Sequence, residues 1–224
     1  NQDCDYKNIS AKTGDPRWYH TVAMPGLPYK YDPEYLYVEA WVRSPGTYGY
    51  FASLKENVAP SCSCVVNIDP FYGNSKNRIQ IRYADVILMR AEALIELGRQ
   101  AEALPLINEI RERAAQSTGR LPYVNNFKIN SYVDGVNCNW TKDFARKALR
   151  WERRLELAME GSRFFDLVRW GVTDEVMNAF YDKEKTKRNY YQDAFFDEHK
   201  EEYCPIPLKQ INFSQGLYKQ NKGY

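Results

Sequence analysis

The feature that most constrains this chain is the periodic stretch at residues 141–171, TKDFARKALRWERRLELAMEGSRFFDLVRWG. Phe144, Ala148, Trp151, Leu155, Ala158, Met159 and Ser162 recur mostly at steps of three or four, the repeat of one helix face. The spacing predicts a helix over 141–159 whose Phe144, Ala148, Trp151 and Leu155 side is buried. Lys142, Asp143, Arg146, Lys147, Arg150, Glu152, Arg153, Arg154 and Glu156 fall to the solvated side. There, opposite charges three or four residues apart support a helix by about 0.2–0.5 kcal/mol per pair. Thr141 is the expected N-cap. Gly161 interrupts good helical propensity by about 1 kcal/mol relative to Ala, and Phe164, Phe165, Leu167, Val168 and Trp170 resume as a second apolar segment.

An amphipathic helix needs a partner, and the preceding sequence supplies one. Ala84, Ile87, Leu88, Ala91, Leu94 and Ile95 form a helical stripe within 79–98, closed by Gly98 as C-cap. Ala103, Leu104, Ile107, Ile110 and Ala114 form another over 100–116. Two amphipathic helices joined by a short Gly-containing turn predict an antiparallel, tetratricopeptide-like hairpin, on which the 141–159 helix packs. Pro105 conflicts with this, since it lacks a donor and costs about 3 kcal/mol inside a helix; a late start or a kink is expected. Residues 117–140 read as a long surface loop and 173–181 as a short helix. Residues 182–202 are charged and aromatic, Pro205 and Pro207 force an extended segment, and 212–224 read as a surface tail.

Residues 1–78 have another character, rich in Pro, Gly, Tyr and Trp. The alternation Tyr35-Leu36-Tyr37-Val38-Glu39-Ala40-Trp41-Val42 predicts one or two short strands, and Pro25-Gly26, Pro45-Gly46, Gly49 and Gly73 mark turns. The expected class is mainly α, with tetratricopeptide-like helical hairpins, long aromatic-rich loops and a few short strands. Aromatic residues make up 15% of the chain, 18 of them Tyr, which favours surfaces that stack on flat ligands while keeping a polar edge in water. A Tyr-rich core is the competing reading of the same composition.

Other function classes find little footing. A formal net charge of +2 gives no broad positive field for nucleic acid. No apolar run reaches the length of a membrane span. The opening NQDC lacks a Met and a signal-peptide hydrophobic region, so the sequence reads as an excerpt or a processed product, and no lipobox precedes Cys4. Five cysteines and two histidines show no zinc spacing. Cys62 and Cys64 are too close for an easy mutual bridge, and a disulfide to a distant cysteine is open in an oxidising compartment, its pairing unassigned by the sequence. Asn67, Asp69 and Asn74 fail the EF-hand pattern. No metal and no cofactor are expected. Glu152, Glu156 and Glu160 recur at steps of four, and paired carboxylates are what a glycosidase requires. Arg153, Arg163 and Arg169 interleave with them, and an arginine-paired acid has a lowered pKa unsuited to general-acid work. They are expected to be structural ion pairs held by arginines of the same or adjacent helices, and no catalytic residue is assigned.

The run Glu152-Arg153-Arg154-Leu155-Glu156-Leu157-Ala158-Met159-Glu160-Gly161-Ser162-Arg163-Phe164-Phe165-Asp166-Leu167-Val168-Arg169-Trp170-Gly171 closely resembles the signature helix of the SusD/RagB family. It is preceded by Ile81-Arg82-Tyr83-Ala84-Asp85-Val86-Ile87-Leu88-Met89-Arg90-Ala91-Glu92-Ala93 and followed by Tyr203-Cys204-Pro205-Ile206-Pro207 and Asn221-Lys222-Gly223-Tyr224, in that family's order. Asp15-Pro16-Arg17 is similar to a further family segment. Lys222 stands where the family usually has Pro, and Cys204 where Leu is common. The resemblance implies the C-terminal part of such a protein, with 1–78 loop-rich and 79–224 helical, ending in an extended tail.

It also implies a non-catalytic, surface-exposed outer-membrane lipoprotein of Bacteroidetes that binds an oligosaccharide or polysaccharide. Such a protein delivers its ligand to a SusC-like TonB-dependent transporter in nutrient uptake, and touches the membrane only through a lipid anchor absent from this chain. The family's sugar contacts lie in variable loops, so no position carries over by motif. Aromatic density instead points to Trp41, flanked by Tyr48 and Tyr50 around Gly49, with Tyr37 and Tyr72. Two alternatives stand beside this: Trp41 in a strand packing on the helices, and a helical interaction module that caps the transporter or binds a peptide.

Overall fold

The computed structural model describes residues 13–224, so Cys4 lies outside the described residues. Short elements come first: α1 (Arg17–Thr21), β1 (Val22–Ala23), β2 (Pro28–Tyr29), β3 (Asp32–Leu36), α2 (Pro45–Tyr48), β4 (Ala52–Ser53), β5 (Val65–Ile68) and β6 (Phe71–Asn74). The strands pair antiparallel as β1 with β4, β2 with β3 and β5 with β6. Helices follow: α3 (Tyr83–Glu96), α4 (Gln100–Gln116), α5 (Lys142–Glu156), α6 (Ser162–Arg169), α7 (Thr173–Lys185) and α8 (Leu208–Phe213). The chain is mainly helical with short strands and long loops, as the sequence predicts.

The described residues form one unit running to Glu160 and another from Gly161 to Tyr224. In the first, α3 and α4 form the expected hairpin. Gly98 adopts φ +77°, which glycine reaches without strain. Its amide bonds to the Ile95 carbonyl and that of Arg99 to Leu94, the double closure of a left-handed helix end. α4 neither starts late nor breaks, and runs through Pro105. Ile87, Leu88, Ala91, Leu94 and Ile95 meet Ala103, Ile107 and Ile110 in the main core, with Ala145, Ala148 and Leu149 of α5. Each buried Leu or Ile contributes about 1.5–3 kcal/mol. Trp140, expected in a surface loop, is buried there, its Nε1 donating to the Gln100 carbonyl at 2.7 Å.

Thr141 caps α5 as expected, accepting from the Phe144 amide at 3.3 Å. The buried face of α5 differs from the predicted one. It consists of Ala145, Ala148, Leu149, Glu152, Arg153 and Glu156, while Trp151 is 49% exposed and Phe144 and Leu155 are only half-buried. The prediction assigned charges to solvent; here the interior accepts Glu152, Arg153 and Glu156 because each has a charged partner.

Two corrections fall in the loop-rich segment. Of the alternating stretch 35–42, only Tyr35 and Leu36 belong to a strand. Glu39–Trp41 is a 3-10 turn in which the Trp41 amide bonds to the Val38 carbonyl, so Trp41 has a local partner and not a ladder. Cys62 and Cys64 are bridged to each other. The Val65 amide reaches back to the Cys62 carbonyl, and that turn brings the two Cα atoms to 5.1 Å, inside the span a disulfide requires.

In the second unit, the Asn178 carboxamide donates to the Phe196 carbonyl and accepts its amide, while the Phe164 ring meets the buried Phe196 ring. α7 extends beyond the expected 173–181 to Lys185. The tail is clasped: Gln220 bonds both backbone groups of Ile206, Asn221 donates to the Cys204 carbonyl, and the Tyr224 hydroxyl donates to that of Tyr203.

Candidate functional site

The carboxylates that recur along the organising stretch form a buried ion-pair array. Arg17 donates to Glu152, whose second oxygen accepts from Arg111 at 3.0 Å. Glu156 accepts from Arg82 at 2.7 Å and from Arg113. Glu160 accepts from Arg82 Nε at 2.7 Å and Lys55 Nζ at 2.5 Å. Asp15 holds the other side of the Arg17 guanidinium, with Nε at 2.9 Å and Nη2 at 2.6 Å. Arg153 pairs with Asp85 at 2.8 Å.

The three glutamates are therefore ion-paired, as expected, but their arginines come from α1, α4 and the residue before α3, joined by one lysine. Burial alone would raise the Glu156 pKa, yet the guanidinium groups of Arg113, Arg82 and Arg17 hold it below the ordinary carboxylate range. Glu160 is held down in the same way, against burial, by Arg82 and Lys55. Acids kept ionised in this manner are poor proton donors.

Lys55 links this array to the loops. Its ammonium also donates to the Glu156 carbonyl at 2.7 Å, Lys76 donates to the Lys55 carbonyl at 2.6 Å, and Lys30 donates to the Leu54 carbonyl. On the other side of the segment, His20 Nδ1 lies 2.9 Å from the Tyr31 hydroxyl and Nε2 lies 2.9 Å from Ser117 Oγ. Ser117 gives its own proton to the Ala114 carbonyl at 2.6 Å, so it accepts from Nε2–H and leaves Nδ1 to accept from Tyr31. Burial, followed by Arg120 and Arg113, pushes the His20 pKa down and keeps the ring neutral.

Between these anchors the hairpin β2–β3 carries an aromatic cluster. The Trp41 ring centroid lies 5.6 Å from Tyr29, 5.1 Å from Tyr35 and 5.3 Å from Tyr37, edge-on to Tyr29 and Tyr37. Tyr29 stacks on Tyr37 with centroids 6.2 Å apart. Trp41 is 44% exposed and Tyr35 38%, whereas Tyr37 is 5% exposed and forms the floor. Two backbone bonds fix that floor: the Gly26 amide to the Tyr37 carbonyl at 2.8 Å, and the Tyr37 amide to that of Leu27 at 3.0 Å. Burial raises the Tyr29 pKa first, and the phenols of Tyr72, Tyr37 and Tyr35 raise it further.

Of the residues singled out by sequence, Trp41 and Tyr37 come together, and the Tyr72 phenol is among those that raise the Tyr29 pKa. Tyr48 stands 78% exposed at the end of α2, and Tyr50 follows Gly49 half-buried. Tyr29 and Tyr35 are the members that the five-residue selection omitted. Their signal was present: an aromatic on each strand of a hairpin begun at Pro28. Among the described residues no group of His, Cys, Asp or Glu is arranged to hold a metal ion, and no helix is long and apolar enough to cross a membrane.

A family profile described as the SusD family matches residues 5–224. The SusD-like protein P38 of Formosa agariphila is 36% identical over 173 residues, covering 77% of this chain and 27% of that protein. The SusD-like protein P25 of the same organism is 31% identical over 166 residues, covering 71% and 27%. The chain thus spans 27% of the length of these curated relatives. A SusD homolog from Bacteroides thetaiotaomicron shares the fold at a TM-score of 0.68 and 23% identity, covering 97% of this chain and 42% of that one. A SusD superfamily protein from Bacteroides vulgatus aligns at a TM-score of 0.64 and 27% identity, covering 94% and 40%.

Proposed function

The chain belongs to the SusD family, and on that premise we propose that it is part of a non-catalytic glycan-binding protein at the bacterial outer membrane. In this reading the protein holds an oligosaccharide and delivers it to a TonB-dependent transporter. The observation that carries it is the ring cluster in which Trp41 and Tyr35 remain open to solvent above the buried Tyr37. Pyranose rings present patches of C–H that pack on flat aromatic faces, while phenolic hydroxyls satisfy the sugar hydroxyls at the edges. Trp41 supplies the largest face and Tyr37 supports it, while Tyr48, Tyr50 and Tyr72 are the further aromatic candidates in the same loop-rich segment. The absence of chemistry in this role agrees with glutamates held ionised by Arg82, Arg113 and Lys55.

The test is titration of the protein with neutral polysaccharides by affinity electrophoresis and calorimetry. Binding is expected, and Trp41→Ala is expected to weaken it at least about tenfold, equivalent to ~1.4 kcal/mol. Unchanged affinity in a folded Trp41→Ala variant would remove this cluster as the site. A second reading is favoured by Tyr83, Val86 and Met89, which stand 73%, 49% and 47% exposed along one side of α3. They suit a helical surface that mainly contacts the transporter, and loss of transporter association without loss of glycan affinity on changing them to Ser would favour it.

A further inference from the structure

The second unit contains an aromatic cluster of its own, outside the site described above. Phe180 and Tyr181 end the apolar part of α7, and the 3-10 turn Asn189–Tyr191 folds back onto them. Tyr191 is the hub. Its ring centroid lies 5.9 Å from Phe180 in an edge-on contact, 5.8 Å from Tyr181 and 4.7 Å from Tyr190. The hub is half-buried, whereas Phe180 is 44% exposed and Tyr190 59%.

The arrangement is held independently of any ligand. Arg188 bonds to the Glu184 carboxylate and its amide to the Glu184 carbonyl, and the Gln192 carboxamide donates to the Lys185 carbonyl at 2.7 Å. These bonds fix the turn against the end of α7. The phenols converge as well: after burial, Tyr190, Glu184 and Tyr181 raise the Tyr191 pKa.

We propose that Phe180, Tyr181, Tyr190 and Tyr191 form a second carbohydrate-contact site, for a short neutral oligosaccharide. The charges around the rings largely cancel, Glu184 against Arg188 and Asp182 against Lys185, which disfavours an ionic ligand. Three phenolic hydroxyls and the exposed Asn189 carboxamide border an apolar face, and an amphipathic pyranose matches that alternation. The area argues against a protein partner. Taking about 200 Å² for a whole aromatic side chain, the exposed parts of the rings amount to roughly 300 Å². That falls well below the ~800 Å² per partner of a stable protein interface and suits a few sugar units. The inference does not depend on the Trp41 cluster.

The experiment is aromatic-region NMR of the whole chain with 13C-labelled tyrosine, titrated with hexasaccharides of cellulose, starch, β-1,3-glucan, mannan and xylan. Ring signals of Tyr181, Tyr190 and Tyr191 are expected to shift with at least one hexasaccharide, in Trp41→Ala as in the native chain. Tyr190→Ala, and Phe180→Leu as a variant that keeps apolar bulk without a flat face, are each expected to weaken that response about tenfold. Their circular dichroism should be unchanged. No shift at these rings with any hexasaccharide overturns the proposal, and Trp41-dependent binding in the same titrations would leave the first site standing. Shifts that follow protein concentration and not sugar would overturn it in favour of self-association.

Discussion

Arg17 donates from Nη1 to the Glu152 carboxylate across 135 residues of sequence, with side chains only 8% and 1% exposed. One bond thus joins the Asp15-Pro16-Arg17 segment to the signature helix. It accounts physically for two motifs that look unrelated in the sequence: each supplies half of a charge pair that neither could bury alone. Removing Arg17 leaves Glu152 with Arg111 alone and strips Asp15 of its guanidinium, and breaking buried ion pairs in this way costs up to about 3–5 kcal/mol. Arg17→Ala is therefore expected to lower the unfolding free energy by that amount in urea titration, and a loss below about 1 kcal/mol would show that solvent reaches Glu152.

Acid should dismantle the same array. Burial alone would raise the carboxyl pKa values of Asp15, Glu156 and Glu160, yet cationic partners hold all three below the ordinary carboxylate range. A depressed carboxylate contributes stability above its unfolded pKa and loses it as pH falls through the folded one. The carboxylate contribution is expected to be steady above about pH 5 and to fall progressively from about pH 4.5 downward. Arg82→Met, which removes the partner shared by Glu156 and Glu160, should flatten that fall. A denaturation midpoint unchanged between pH 5 and pH 3 would contradict the assignment.

His20 adds a step of the opposite charge type at higher pH. Its folded pKa lies below 6.5, with burial as the first cause, so neutrality favours the fold and protonation opposes it. The stability from the Tyr31–His20–Ser117 chain is thus present above about pH 6.5 and lost as pH falls through the lower folded value. His20→Gln should abolish this step and leave the carboxylate step intact, read by thermal midpoints at half-unit pH intervals.

How much of this was legible in the sequence depended on whether a signal was local. The α3–α4 hairpin, its Gly98 closure and the Thr141 cap were readable because periodicity and capping act over a few residues. The buried face of α5 was not, since Glu152, Arg153 and Glu156 become interior residues only once Arg17, Arg82, Arg111, Arg113 and Asp85 arrive from elsewhere. The aromatic cluster was half readable: density singled out Trp41 and Tyr37, but the floor-and-face relation among Tyr29, Tyr35, Tyr37 and Trp41 depends on the β2–β3 pairing. The β5–β6 hairpin and the Cys62–Cys64 bridge went unread because both depend on turns.

The corrected α5 face carries its own prediction. Leu149 is 1% exposed and Trp151 49%. Leu149→Ala should cost about 2–5 kcal/mol, as other leucine truncations in cores do. Trp151→Ala, on the side the periodicity had turned inward, should cost much less, since about half of that ring is already in water. Equal losses in chemical denaturation would restore the original orientation of the helix.

The cluster at β2–β3 should separate folding from recognition. Tyr37 lies under Trp41, with ring centroids 5.3 Å apart and 5% of its surface exposed, while Trp41 keeps 44%. Truncating a buried aromatic costs about 3–5 kcal/mol, so Tyr37→Ala should lower stability by that amount and take ligand affinity with it. Tyr37→Phe removes only a hydroxyl and retains the floor, and it should leave glycan affinity within about twofold, below 0.5 kcal/mol. Trp41→Ala should show the converse: a modest stability loss, because nearly half the ring was never desolvated, and a large affinity loss, because the open face is gone. Chemical denaturation and calorimetric titration of the three variants read both quantities. A Trp41→Ala variant as unstable as Tyr37→Ala would make Trp41 a packing residue and move the sugar contact elsewhere in the loops.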